Sequence, residues 1–406
     1  MAHLTKAATL AASIVQKMTE VGRWQQRFVV HLIPLLLSLR GRYNFTNLAR
    51  YGKYHEATYR RNFAKPFDWL GFNLQLVEQY LSADRIIALD PSYITKSGKH
   101  SAGVGYFWSG SAGQTKWGQE FCGLAAVDLR DKTALHLLAV QTTERVKAES
   151  LLDYYASMVT INADRLRRVS TYVVADAYFA KASFAESILG AGLQLNTRSR
   201  KDQVLYYLYQ GPRRKGPGAP KRYAGRVEAA KLREDVFTPC AVAEDGAWRA
   251  FEAVVYVKAW KRKARVVVIQ RYDSQGNYAT HPTLASTDLA QSGADLVLSY
   301  TSRFQQEFLY RDAKQELGLE DAQAYCWQKI DFHLNASLTT VSIAKAAHCL
   351  TPGQPHDRPF SMADLKTEYI NERLALRIIR GCGLSPDSPT IRKLLPKIRQ
   401  WGKRTA

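Results

Sequence analysis

Apolar residues recur at helical spacing from Ala7 to Met18 and again from Phe28 to Leu39, so the chain opens helical, to about residue 80. Inside that region, residues 44–63 read as two short helices. Thr46 or Asn47 caps the first, Gly52 ends it, and the second starts near His55. This is a helix-turn-helix pattern with Arg60 and Arg61 on the second helix, although helix pairs with a glycine turn also occur in plain helical domains.

The period then changes. Residues 85–90, Arg-Ile-Ile-Ala-Leu-Asp, form a short apolar run ending in an acid, which predicts a buried strand with Asp90 at its end. Pro91 is expected to stop it from continuing as a regular central strand. A polar Gly/Ser/Lys loop follows (96–103), then two strand-like runs at 121–127 and 134–140, then a helix over 148–163. Residues 169–176 repeat the earlier device: a β-branched run ending in Asp176, with a helix from Lys181 to about Leu189 and a further strand at 193–197. The order strand, strand, strand, helix, strand, helix, strand resembles a ribonuclease-H-like core. One buried strand ending in Asp is well explained by capping of the next helix. Two in one core favour a shared site.

From Arg198 to Lys231 ten Lys and Arg stand against Asp202 and Glu228. The Gly/Pro-rich centre, with Arg213, Arg214 and Lys215, excludes a helix and predicts a mobile basic loop. Strand-like runs at 251–257 and 265–271 predict a β-hairpin whose tip carries Trp260, Lys261 and Arg262. Such a tip suits a phosphate backbone and a stacked base; a solvated turn is the plainer alternative. A last short strand is expected at 284–288, where Asp288 is either a fourth site acid or part of a surface turn. A helix over 292–318 follows. If that helix is continuous, Tyr300, Arg303, Glu307 and Lys314 fall within about 60° of one another at roughly 100° per residue. The plainer alternative is a charged outer face with an Arg303–Glu307 ion pair.

The chain's 406 residues can bury a large core in two or three domains. Its 57 Lys and Arg against 36 Asp and Glu give a net charge of +21, which predicts attraction to a polyanion, nucleic acid being the commonest. Residues 391–404 add six basic residues and no acid. The five cysteines are scattered, with no Cys-x2-Cys pair, so neither a zinc knuckle nor a disulfide framework is signalled. The first residues lack a signal peptide's apolar core, and the longest nearby apolar run is too short to cross a bilayer. A soluble protein, cytoplasmic and nucleoid-associated, is expected.

The spacing Tyr300-x2-Arg303-x3-Glu307-x6-Lys314 resembles the YREK signature of bacterial insertion-sequence DDE transposases of the insertion-sequence-four type, and the continuation through Gly318 is also typical of them. The separations of Asp90, Asp176 and Glu307 fit that group if an insertion precedes Glu307. The resemblance implies an α/β fold: a ribonuclease-H-like mixed-sheet core with an inserted β-rich subdomain, plus helical N-terminal and C-terminal regions. It divides the chain into a helical DNA-binding region (1–80), the first part of the core (81–198), a basic β-rich insertion (199–282), the second part of the core (283–325) and a helical basic C-terminal region (326–406). It also implies that Asp90, Asp176 and Glu307 are the catalytic triad and hold two Mg²⁺ ions, for which Mn²⁺ can substitute. Tyr300, Arg303 and Lys314 would hold the element end. The implied partners are double-stranded DNA, as terminal inverted repeats and target, and a second copy of the chain on that DNA. The implied reaction is cut-and-paste: hydrolysis that frees a 3′-hydroxyl, then transesterification into target DNA. The rival readings are a hydrolytic nuclease or resolvase without strand transfer, and a non-catalytic DNA-binding descendant.

Overall fold

A computed structural model of the chain describes residues 3–142, 150–200, 202–212, 219–243, 246–273, 275, 277–351 and 359–404. Five helices come first: α1 (His3–Val15), α2 (Arg23–Ser38), α3 (Phe45–Tyr51), α4 (Glu56–Phe63) and α5 (Trp69–Tyr80). Then follow β1 (Arg85–Thr95), β2 (Gly105–Ser109), β3 (Gln114–Asp128), β4 (Thr133–Gln141), α6 (Leu151–Ile161), α7 (Ala163–Leu166), β5 (Tyr172–Ala175), α8 (Ala182–Gly190) and β6 (Gln194–Arg198). The next strands are β7 (Leu205–Leu208), β8 (Tyr223–Arg226), β9 (Thr238–Val242), β10 (Trp248–Val257), β11 (Arg262–Tyr272), β12 (Tyr278–Thr280) and β13 (Thr283–Ser286). Helices close the chain: α9 (Gly293–Ser302), α10 (Gln305–Glu316), α11 (Trp327–His348), α12 (Met362–Gly381) and α13 (Pro389–Gln400). The architecture is mixed α/β with mixed strand pairing and helices at both ends, as expected. No helix among the described residues is long and apolar enough to cross a membrane.

The chain divides into two compact units. One holds Met1–Asp84, Pro91–Glu144 and Gln305–Ala406; the other holds Arg85–Asp90 and Arg145–Phe304.

In the first unit, β2 pairs with β3 and β3 with β4, all antiparallel. The outer edge of β4 is covered by a helix instead of a strand. Along α11, polar side chains take the hydrogen bonds a neighbouring strand would have taken. Asp331 accepts from Gln141 N at 2.8 Å. Asn335 accepts from Ala139 N and donates to Ala139 O, both at 2.8 Å. Ser342 accepts from His136 N at 2.8 Å, and the Lys345 ammonium donates to Ala134 O at 3.3 Å. A free edge is thereby blocked without charge on the strand itself. This explains why α11 is buried nearly all round despite its polar content.

Burial pushes the Asp331 carboxyl up to about 7, against the opposing pull of the Gln141 amide. The folded state therefore holds this proton more tightly than the unfolded chain. Stability falls as pH rises from the ordinary carboxylate value near 4 to about 7, and the loss is complete above that. Asp331→Asn keeps an acceptor for Gln141 N. It is expected to raise the melting temperature at pH 8, by a stability gain of up to about 3 kcal/mol, with the gain vanishing near pH 4. Melting curves of both proteins across that range check it.

The helix pair expected at 44–63 is present. Asn44, not Thr46 or Asn47, caps α3 by accepting from Asn47 N, and Gly52 ends it. His55 Nδ1 accepts from Ala57 N at the start of α4. Tyr59 and Phe63 turn inward: Tyr59 hydroxyl bonds His31 Nε2 at 2.7 Å, and Phe63 stacks on Phe332 of α11 with centroids 4.6 Å apart.

In the second unit, β1 pairs parallel with β5 and β5 parallel with β6. The next neighbours, β13, β11, β10, β7 and β8 in that order, are antiparallel. Arg198 of β6 pairs directly with Leu284 of β13, so strands β7 to β12 form an excursion that leaves and returns at one place. Helix α9 lies on this sheet, its Leu296 buried among Ala250, Val267, Ile269 and Leu284.

Three points need correction. The loop expected at 96–103 is present, but the stretch after it, for which the sequence predicts no element, contains β2, a strand whose flanking glycines and serines disguised it. Strand β1 runs on through Pro91 to Thr95. Its pairing with β5 stops at Leu89, so the proline's missing N–H falls where that side of the ladder has ended. The single helix expected over 292–318 is two, with Arg303 and Phe304 between them. Thr301 hydroxyl donates back to Val297 O and Leu298 O just before the break, the kind of side-chain bond that bends a helix.

Candidate active site

Leu89 of β1 pairs with Ala175 of β5, and Ala175 pairs with Thr197 of β6. The next residue of each strand is Asp90, Asp176 and Arg198. Two carboxylates and a guanidinium therefore stand side by side where the parallel pairing of three neighbouring strands ends, about 4.8 Å from one strand to the next. The position equivalent in successive strands puts their side chains on one face.

Each acid is held differently. Asp176 accepts from Tyr178 N at 3.0 Å, capping the short 3₁₀ turn Ala177–Phe179, and Thr197 hydroxyl donates to Asp176 O at 2.7 Å. The capping role expected of a strand-ending Asp is thus real, and it coexists with a place in the cluster. Burial holds the Asp176 carboxyl above its usual range, although Tyr178 N and the Arg303 charge pull the other way. Asp90 is paired with Arg303, whose Nη1 lies 2.9 Å from Oδ1, with the arginine side chain only 6% exposed. Helix α9 delivers Arg303 at its C-terminal end. The guanidinium also lies over the rings of Tyr300 and Phe304, at 5.8 and 5.0 Å from their centroids. Burial raises the Tyr300 hydroxyl, while the Arg303 and Arg198 charges lower it.

The second unit thus assembles Asp90, Asp176, Tyr300 and Arg303, and adds Arg198, which the sequence reading counted only as part of a basic run. Its signal was its place: in register it follows Thr197 as Asp90 follows Leu89 and Asp176 follows Ala175. Within the second unit, the carboxylate that Arg303 holds is that of Asp90. Asp288 is not a site acid here: its carboxylate accepts from Tyr172 hydroxyl at 2.6 Å and from Ala290 N in the turn after β13.

Glu307 and Lys314 belong to the first unit. Both lie on α10, Glu307 exposed in its first turn, where a negative charge complements the helix dipole. Gln306 and Tyr310 face the other way. Gln306 donates to Gly123 O of β3 at 2.8 Å, and a side chain on Gly123 would strike Tyr310 hydroxyl. The Lys314 ammonium donates to Tyr93 O at 2.7 Å and lies 3.9 Å from Glu320.

Of the other nucleic-acid candidates, Arg61 is exposed on α4, while Arg60 is bound to Glu56 and lies over the Phe45 ring. Arg213, Arg214 and Lys215 lie outside the described residues. The β10–β11 hairpin exists, with Lys258 and Lys261 exposed at its tip. Trp260 does not fit the expected stacking role. It is 1% exposed, because the tip packs against α8 and encloses the indole.

Divalent cations are implied for this kind of site. The donor chemistry fits. Two hard carboxylate oxygen sets stand together, and burial raises one of them, Asp176, above its usual range, which a bound cation would oppose. Among the described residues, no group of three or more His, Cys, Asp or Glu is arranged to hold a metal. The pair Asp90 and Asp176 is what the second unit offers.

The model of the DDE superfamily endonucleases matches residues 23–262. The chain belongs to that family. The match spans both strand-ending aspartates. No curated protein matches the chain. Among solved structures, the chain is similar to the piggyBac transposase in its synaptic complex with hairpin DNA, at 11% identity and a TM-score of 0.36, covering 97% of this chain and 82% of that one.

Proposed function

We propose that this DDE-family chain is the transposase of a bacterial insertion sequence, which binds the terminal inverted repeats, cleaves at the element ends and joins the freed 3′-hydroxyls to target DNA. The observation that carries the reading is the register Leu89↔Ala175, which sets Asp90 and Asp176 beside each other in a family of endonucleases. In this reading Glu307 is the third acid. Mg²⁺ ions bound by these acids would supply the Lewis acidity that activates the attacking oxygen and steadies the leaving one. The chain's own residues do the rest. Asp176, capped by Tyr178 N, keeps a fixed carboxylate orientation. Arg198, at the open end of β6, is placed to meet a phosphate. Tyr300, Arg303 and Lys314 hold the element end, and Arg60, Arg61, Lys261 and Arg262 contact its flanks. Two copies of the chain pair two ends.

Incubation of purified protein with a supercoiled plasmid carrying the element ends, with Mg²⁺ or Mn²⁺, tests it. Nicks at the element boundary and 3′-hydroxyls joined to a second plasmid are expected. Cleavage without joining would support the hydrolytic-nuclease alternative, and neither would overturn the reading. End binding is also expected to weaken steeply with salt. Each phosphate contact contributes about −0.9 to the slope of log K against log salt, so a slope of about −5 or steeper is expected. A binding titration between 50 and 200 mM salt checks it, and a flat response would overturn the nucleic-acid reading.

A further inference from the structure

Strands β2 and β3 carry a surface that the proposed active site does not use. In their register Tyr106 faces Trp117 and Trp108 faces Thr115, so these four side chains share one face of the ribbon. Tyr106 is 73% exposed and Trp108 63%, far more than large aromatic groups ordinarily are. The face is built rather than loose. Trp117 is tied down by its indole N–H, which donates to Gly98 O at 3.3 Å. Tyr106 stands edge-on to Trp117, with centroids 5.4 Å apart. At the ribbon's base, Gln119 and Gln141 both donate to Ala102 O.

The segment that carries this face has charge of one sign. Residues 96–119 include Lys96, Lys99, His100 and Lys116, and no Asp or Glu. A second copy of a chain with net charge +21 is poorly matched to it, whereas a polyanion carrying flat, apolar rings matches on both counts. The spacing is informative too. Side chains two apart on a strand are separated by about 6.8 Å, twice the ~3.4 Å between stacked bases. That strand spacing matches the room one base needs between two rings.

We propose that the β2–β3 ribbon is a stacking platform that takes an unpaired base of a DNA strand, with Tyr106 and Trp108 on its two sides and Lys99 near the flanking phosphates. This rests on the DNA-processing reading above and adds a second, non-catalytic point of grip, selective for a frayed or single-stranded end.

The test uses the full chain in EDTA, so that no cutting occurs, and two labelled probes: a blunt duplex and the same duplex with a 3′ overhang of four thymidines. Wild type is expected to bind the overhang probe about tenfold more tightly, the size of one or two base–aromatic stacks. Trp108→Ala and Tyr106→Ala should each remove most of that preference and leave blunt-duplex affinity unchanged, and Trp108→Phe should restore it. Retention of the preference by both alanine variants overturns the proposal. So does an unchanged preference combined with a loss of dimer mass by light scattering, which would make the face a contact between copies. If wild type binds blunt duplex but shows no preference, this inference alone fails. If it binds neither probe, the DNA-processing reading fails with it.

Discussion

Asp90→Asn and Asp176→Asn are each expected to cut metal-dependent DNA cleavage by about 10³-fold or more, and to move stability in opposite directions. The shared loss follows from removing one of two adjacent carboxylates that would bind the cation. The opposite stabilities follow from what else each acid touches. Burial raises the Asp176 carboxyl, so in the folded state its charged form is disfavoured. The sign is that of a penalty: absent below the unfolded carboxylate range, growing as pH rises through it, and complete above the folded value. An amide removes that penalty and can still accept from Tyr178 N. Asp176→Asn should therefore melt higher than wild type at neutral pH, and the gain should disappear at low pH. Asp90→Asn instead removes the carboxylate that the buried Arg303 guanidinium holds at 2.9 Å, which costs about 3 kcal/mol and lowers the melting temperature. Plasmid nicking and melting curves on the three proteins decide. An Asp176→Asn variant that cleaves like wild type would remove the site. One that melts lower would show that the carboxylate is stabilised in place, against the burial argument.

The two strand-borne aspartates were legible in the sequence because their signal is local: a mainly apolar run that stops at Asp. The register that sets them side by side is not local, but parallel strands joined through buried connections leave few alternatives. What failed depended on partners far along the chain. Trp260 sits in a turn with basic neighbours and looks like a surface group; only the packing of that turn on α8 encloses it. Asp331, Asn335, Ser342 and Lys345 look like the solvent side of a helix, and only the unpaired edge of β4 gives them a buried purpose. The helix break at Arg303 and Phe304 carries no Gly or Pro to announce it. An angular argument holds only along an unbroken helix, so it does not carry from Tyr300 and Arg303 on one side of the break to Glu307 and Lys314 on the other.

Arg303→Met is expected to lower stability without metal and to make the protein respond more strongly to metal than wild type does. Methionine fills a similar apolar volume, so the change is mainly of charge. Without the guanidinium, Asp90 is left partly buried with its nearest counter-ion gone, worth about 2–4 kcal/mol once its residual 18% exposure is allowed for. The guanidinium and a divalent cation compete for the same carboxylate, since each satisfies the same oxygens and the two repel. Removing one should therefore strengthen the other, and Mg²⁺ or Mn²⁺ should raise the variant's melting temperature by more than it raises that of wild type. Arg303→Lys separates charge from shape. It keeps the positive charge but loses the planar fork, so it should retain wild-type weakness toward metal while losing part of the stability. Melting curves over a metal titration for the three proteins give the outcome without any DNA. Equal metal shifts in all three would mean that Asp90 serves Arg303 alone and binds no cation. A larger shift confined to Arg303→Met would mark Arg303 as the internal cation that a metal must displace from Asp90 before cleavage can begin.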